Sequence, residues 1–239
     1  MVITRRIKWL VIVLVVLIQA TGRPRAQGVA TDEERTKIRS LLKTIDIRGG
    51  PEAANVVKEL VAFGPKAVPV LVDVLNSDKS CLTQWVAGSV VASIDPQHPI
   101  AFSTLSEIAR GHCTMSSPAE MMLKRQAAMT LARELDGIPV AIELLKSSEL
   151  FIRQSGAFAL HDLLEVIDTD RLDGIKATPE LVKASIAAIQ ALKAVLGDAD
   201  EIVRCVAEEG LQRATGSKNR AIVDEARKAL KGAKVKCSR

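Results

Sequence analysis

Gly64-Pro65-Lys66-Ala67-Val68-Pro69-Val70-Leu71-Val72-Asp73-Val74-Leu75, the polar break Asn76-Ser77-Asp78-Lys79-Ser80 and the apolar-periodic run from Cys81 to Ile94 together decide the fold. Apolar residues three and four apart line one face of a helix, so the pattern encodes two short amphipathic helices joined by a tight turn. Gly64-Pro65 sets the start of the first helix, because proline at the first helical position loses only an amide that would have been unpaired. Pro69 lies deeper and is predicted to kink that helix.

Working outward, the same grammar repeats. Thr31-Asp32-Glu33-Glu34 is a capping box opening a helix to about Asp46. Gly49-Gly50-Pro51 breaks it and starts another that ends near Phe63. Downstream, Asp95-Pro96 stops the central pair, and helices are expected over 99–110, 118–135, 138–147, 149–167, 178–197, 200–214 and 218–231. Helix formers dominate, tyrosine is absent, and no stretch alternates as a strand would. The chain therefore reads as all-α.

Four of the second helices align. With Gln84, Lys124, Arg153 and Arg204 in one column, the residue three later is Ala87, Ala127, Gly156 or Ala207, and seven later Val91, Leu131, Leu160 or Leu211. A small residue followed by an aliphatic one on the same face marks a core stripe where helices approach closely. In three copies an acid precedes the base by four: Glu120 with Lys124, Glu149 with Arg153, Asp200 with Arg204. The first copy departs, with Gln84 for the base and Ser80 for the acid. Intervals of 40, 29 and 51 residues make the period loose.

These columns resemble HEAT repeats of the kind found in phycobilisome-lyase-like proteins, over roughly residues 64–214. The resemblance implies a right-handed α-solenoid, a HEAT/armadillo-like superhelix of antiparallel helix pairs. Residues 31–63 would form an N-terminal cap and 215–239 a C-terminal cap with a basic tail. It also implies a ladder in which a turn acid and a second-helix base tie successive repeats together. Second helices would line a concave surface presented to a protein partner. Just after the aligned base stand Trp85, Arg125, Gln154 and Cys205, and the same face continues through Met129, Phe158 and His161. Trp85 is read either as an exposed anchor of an interface or as a filler between repeats.

Residues 1–26 have the layout of a secretory signal: Arg5, Arg6 and Lys8, an apolar run from Trp9 to Ile18, then small residues at Ala20 and Gly22. The run is short for a membrane span, so the alternative is an uncleaved N-terminal anchor, and membrane contact is expected only through this segment. The expected destination is periplasmic, secreted or membrane-anchored facing outward. These residues also hold five of the chain's 33 basic residues and no acid, leaving 28 of each sign in residues 27–239. A balanced domain lacks the electrostatic footprint of nucleic-acid binding. The stretch from Arg213 to Arg239 is a local exception, with nine basic residues against Asp224 and Glu225.

In an oxidising compartment an even number of cysteines invites pairing. Helix topology favours Cys81 with Cys113 and Cys205 with Cys237, the alternative being free thiols with Cys205 buried as a small apolar residue. His112 beside Cys113 suggests a metal only in isolation, since no second cluster has zinc-ligand spacing. The loop Asp168-Thr169-Asp170-Arg171-Leu172-Asp173-Gly174, followed by Glu180 six beyond the glycine, partly matches a calcium-binding EF-hand loop. Leu172 adds one residue between acids and Pro179 sits beside a ligand position, so the other reading is a solvated loop with capping acids. No nucleophile elbow and no glycine-rich phosphate loop is present.

The sequence thus points to an exported, non-enzymatic interaction module or scaffold of the cell envelope. The alternatives are an enzyme or accessory factor resembling the bilin lyases and a calcium-stabilised structural protein.

Overall fold

A computed structural model describes residues 28–44, 51–78, 80–113, 118–168, 178–233, 235 and 237. Among them every regular element is a helix, and two compact units divide at Thr104 and Leu105.

The first unit contains α1 (Asp32–Lys43), α2 (Pro51–Ala62), α3 (Val68–Ser77) and α4 (Cys81–Ile94). Thr31 and Glu34 form the capping box at the start of α1: the Thr31 hydroxyl accepts from the Glu34 amide at 3.2 Å, and the Glu34 carboxylate accepts from the Thr31 amide at 2.9 Å. Glu34 also pairs with Lys66, tying α1 to the segment ahead of α3. That pairing and the Thr31 amide hold the Glu34 carboxyl below its ordinary range. Ile38, Leu60, Leu71, Val90 and Val91 are fully buried in the core these helices share.

Pro69 does not kink a helix. Gly64, in the left-handed conformation at φ 63°, turns the chain into a 3-10 turn over Gly64–Ala67, and the α-helix begins only at Val68. Pro69 is then in the first turn, where its missing N–H costs nothing. The second unit repeats this solution: a 3-10 turn over Leu135–Gly137 precedes a helix that begins Ile138-Pro139.

Helix α5 (Pro99–Ala109) spans the boundary between units, and the second unit continues with α6 (Pro118–Ala132), α7 (Ile138–Leu144), α8 (Leu150–Asp168), α9 (Pro179–Ala194), α10 (Glu201–Ala214) and α11 (Arg220–Leu230). Helix α7 stops at Leu144, three residues earlier than its apolar pattern suggests. Within this unit α6, α8 and α10 pack side by side in one row, and α7, α9 and α11 follow one another in a second row. Each helix touches both its chain neighbour and the next helix but one, which is the packing of an α-solenoid of antiparallel pairs.

The aligned columns are the seam of this stack. Ala127, Gly156, Ala207, Leu131, Leu160 and Leu211 are all buried. At Gly156 a Cβ would lie 2.8 Å from the Ala141 carbonyl oxygen and 3.0 Å from the Leu144 Cβ, so the small residue is what lets α8 close on α7. The bent pair 55–62 and 64–77 is apolar in composition, but its Leu60, Val70, Leu71 and Leu75 are spent on the first unit's core. No single helix among the described residues is long and apolar enough to cross a membrane.

Candidate interaction surface

The aligned bases do two jobs. Toward their own turn they donate to carbonyls: Arg153 to the Ser147 and Ser148 oxygens at 3.0 Å each, and Arg204 to the Asp198 and Ala199 oxygens at 2.7 and 2.9 Å. Gln84 does the same in the first unit, its amide reaching the Asp78 oxygen at 2.9 Å. Toward the next layer they meet a carboxylate: Lys124 lies 4.0 Å from Glu149, and Arg153 lies 3.1 Å from Asp198. Arg153 and Arg204 therefore do not pair with the acid four residues before them, Glu149 and Asp200, which stand just ahead of α8 and α10. An i,i+4 pair would leave the turn carbonyls unpaired, whereas an arginine fork satisfies them and the next layer's acid together. Gln84 keeps the local half of this role and brings no charge.

Burial would raise the Asp198 carboxyl, but the Asp200 amide at 2.8 Å and the Arg153 guanidinium outweigh it and hold Asp198 below its ordinary value. Asp162 behaves in the opposite way. Its burial dominates, and Arg133 at 3.4 Å does not stop its carboxyl from being raised.

The column just after the base also reaches forward. Arg125 of α6 lies with its guanidinium 4.8 Å from the centroid of Phe158 on α8, a cation–π contact. Gln154 of α8 donates to Asp200 at the start of α10 at 3.1 Å. Cys205 of α10 is joined by a disulfide to Cys237, with 5.7 Å between Cα atoms. Arg125, Met129, Phe158 and His161 are all half-buried. Burial lowers the Arg125 guanidinium from its ordinary value. The His161 Nε2 lies 3.8 Å from Glu209, beyond hydrogen-bond range. Trp85 is half-buried against the first unit's core.

One feature escaped the sequence reading: a row of exposed apolar side chains at the N-terminal ends of α6, α8 and α10. Met121 is 38% exposed, Leu150 37%, Phe151 47% and Ile202 47%. All four stand two or three positions before the aligned base, so they repeat at one edge of the row, spaced by the interaxial distance of about 8–10 Å. In sequence they look like ordinary core positions of amphipathic helices, and only the packing leaves them uncovered. Beside them, Arg110, Glu143, Leu144, Lys146, Ser147 and Ile152 line a shallow depression of about 330 Å³. Arg110 and Glu143 close a two-point ion pair across it, at 2.9 and 3.0 Å, which holds the Glu143 carboxyl below its ordinary value.

None of the four cysteines is a free thiol; Cys81 and Cys113 are disulfide-bonded as well. His112 pairs with Glu107, and no group of three metal-ligating side chains occurs among the described residues. Of the calcium-loop candidates, Asp170 and Asp173 lie outside the described residues, as does the side chain of Asp168, while Glu180 is exposed in the first turn of α9. The secretory-signal segment also lies outside them.

The described residues define a helical-repeat protein. No protein-family model and no curated protein sequence matches the chain. Among solved structures it is similar to an engineered protein from the Northeast Structural Genomics Consortium, at 20% identity over 91% of this chain and 94% of that one, with a TM-score of 0.41. A second engineered protein from that consortium is 20% identical over 92% of this chain and 56% of its own, with a TM-score of 0.41. A designed armadillo repeat protein, solved with the peptide (KR)4, is 14% identical over 84% of this chain and all of its own, with a TM-score of 0.40.

Proposed function

We propose that this chain is an exported, non-enzymatic HEAT-like module of the cell envelope that binds a protein partner along the second helices of its solenoid unit. The observation that carries the reading is the row formed by Met121, Leu150, Phe151 and Ile202, since aligned exposed apolar side chains mark interaction surfaces. Its spacing suits a partner segment in polyproline II conformation, whose every third side chain shares one face and is displaced by about 9 Å. The half-buried face of Arg125, Met129, Phe158 and His161 lies on the same helices and would extend the surface for a larger partner. Export rests on the basic head, apolar run and small residues of positions 1–26. The non-enzymatic reading rests on the lack of a nucleophile elbow or phosphate loop in the sequence.

The experiment is affinity capture from envelope extracts with the full chain and with a Phe151→Asp, Ile202→Asp variant. A protein held by the parent and lost by the folded variant supports the reading. Equal capture by both removes the exposed row as the docking surface. Protease accessibility of the chain in intact and permeabilised cells tests export separately, and protection that persists until the cytoplasm is opened refutes it.

A further inference from the structure

Half-buried arginines of the second unit are matched by acids of the same chain. Arg110 meets Glu143 at 2.9 Å, Arg153 meets Asp198 at 3.1 Å, Arg133 meets Asp162 at 3.4 Å and Arg213 meets Glu165 at 3.7 Å. Arg125 is half-buried too, yet it pairs with no carboxylate among the described residues. Its guanidinium lies 4.8 Å from the centroid of the Phe158 ring instead. Burial lowers this guanidinium from its ordinary value, and no neighbouring charge offsets the effect. An arginine held on an aromatic face keeps the N–H donors along its edge, in the fork that fits a carboxylate.

The position of Arg125 ties it to the exposed apolar row. Arg125 stands four residues after Met121, Gln154 four after Leu150 and three after Phe151, and Cys205 three after Ile202. Residues three and four apart share a helix face, so these three form a second line beside the row, about 5.4 Å further along the helices. Within this line the Gln154 amide is taken by Asp200 and Cys205 by its disulfide. Arg125 is its charged member. A polyproline II segment has three residues per turn, so when every third side chain sits on the row, those between are turned by about 120° to its two sides. One of those sides faces Arg125.

We propose that the partner segment is acidic: beside one of its apolar residues it carries a glutamate or aspartate whose carboxylate takes the edge of the Arg125 guanidinium, with the Phe158 ring behind it. This rests on the row of Met121, Leu150, Phe151 and Ile202 being the docking surface. The row then supplies contact area and Arg125 fixes register and choice of partner. A forked, charge-assisted pair formed on a half-buried face is strong, and arginines so placed are energetic centres of interfaces. A lysine at the same place in the partner is excluded by like charge.

The test is fluorescence anisotropy on the full chain with labelled, end-blocked peptides of repeated Leu-Pro-Gln and repeated Leu-Gln-Pro. Each is compared with a version in which one central glutamine is glutamate; the two orders cover both directions of the segment across the row. At least one glutamate peptide is expected to bind about tenfold or more tighter than its glutamine parent. Arg125→Gln should abolish that difference and leave the glutamine peptide within about twofold, and Arg125→Glu should transfer the preference to a lysine peptide. If Arg125→Gln loses its cooperative melt, Arg125→Met, which keeps an apolar stem over Phe158, replaces it. Equal binding of glutamate and glutamine peptides, both lost in Phe151→Asp, Ile202→Asp, overturns the carboxylate site and leaves the row as the docking surface. A glutamate preference that survives loss of Arg125 also overturns the site. No binding of any peptide at up to about 1 mM overturns the row as the seat of such a segment, and this inference with it.

Discussion

Removing Arg153 is the sharpest perturbation of the stack. Its side chain is 19% exposed and that of Asp198 12%, so the pair is largely out of water. Arg153→Ala deletes hydrogen bonds to the Asp198 carboxylate at 3.1 and 3.4 Å and to two turn carbonyls at 3.0 Å each. It also leaves Asp198 with its desolvation but without its cation. Charge-assisted hydrogen bonds contribute about 1.5–3 kcal/mol, and stripping one partner from a buried pair costs about 3–5 kcal/mol. A loss of about 3 kcal/mol is expected, equivalent to a fall in Tm of roughly 6–12 °C at this size. Arg153→Lys keeps the charge but not the fork, and should lose about half as much, because one ammonium cannot serve both the carboxylate and the turn. The assay is urea unfolding of parent, variants and the Arg153→Ala, Asp198→Ala pair, with a coupling of at least about 1 kcal/mol in the double-mutant cycle. The pH dependence gives a second reading. Asp198 has a folded pKa below its unfolded value of about 3.9, so its contribution is present above that value and is lost as pH falls through the folded one. The gap between parent and Arg153→Ala must therefore narrow below about pH 4. An unchanged gap there, or a variant as stable as the parent at pH 7, refutes the ladder as a source of stability.

The other predictions use the same unfolding assay. Gly156→Ala should destabilise by about 1–2 kcal/mol despite better helix propensity, because its Cβ meets the Ala141 backbone at 2.8 Å; Gly197→Ala, with nothing within 4 Å, should be neutral or stabilising by up to about 1 kcal/mol. Equal effects at the two sites would remove close approach as the reason for Gly156. Asp162→Asn should cost less than about 1 kcal/mol at pH 7, whereas Asp198→Asn should cost about 1.5–3, since burial raises one carboxyl and its partners lower the other. The sign follows from linkage: with a raised folded pKa, Asp162 favours folding below its unfolded pKa and loses that contribution as pH rises through the folded value. A reversed order of the two costs would refute the assignment. Asn219→Ala should cost about 1 kcal/mol, because the Asn219 side chain caps α11 by accepting from the Ala221 and Ile222 amides at 3.0 and 3.4 Å; an unchanged midpoint would show that the cap is dispensable.

The helices were legible because their signals are local. Thr31 with Glu34, the prolines at positions 51, 118 and 179, and the small and aliphatic columns three and seven beyond the bases each report a spacing within one or two turns. Pro69 was misread for the same reason: its residue type forbids an interior amide, but whether the chain bends or simply starts its helix later depends on the 3-10 turn before it. The acid–base pairs four apart were also visible, yet the ladder joins a base to a carboxylate 25 residues on at Glu149 and 45 on at Asp198, a choice made by which turns the stacked layers bring together. Exposure of Phe151 and Ile202 lay further still from the sequence. Their periodicity is that of buried residues, yet at the N-terminal ends of α8 and α10 each remains 47% exposed.

Sequence by itself determined that this is an all-helical protein built of repeated pairs, because helix periodicity, caps and close-packing residues act over short distances along the chain. Tertiary structure alone decided which acid answers each base and which apolar edge is left uncovered, because burial and pairing are properties of surfaces that meet only after the layers have stacked.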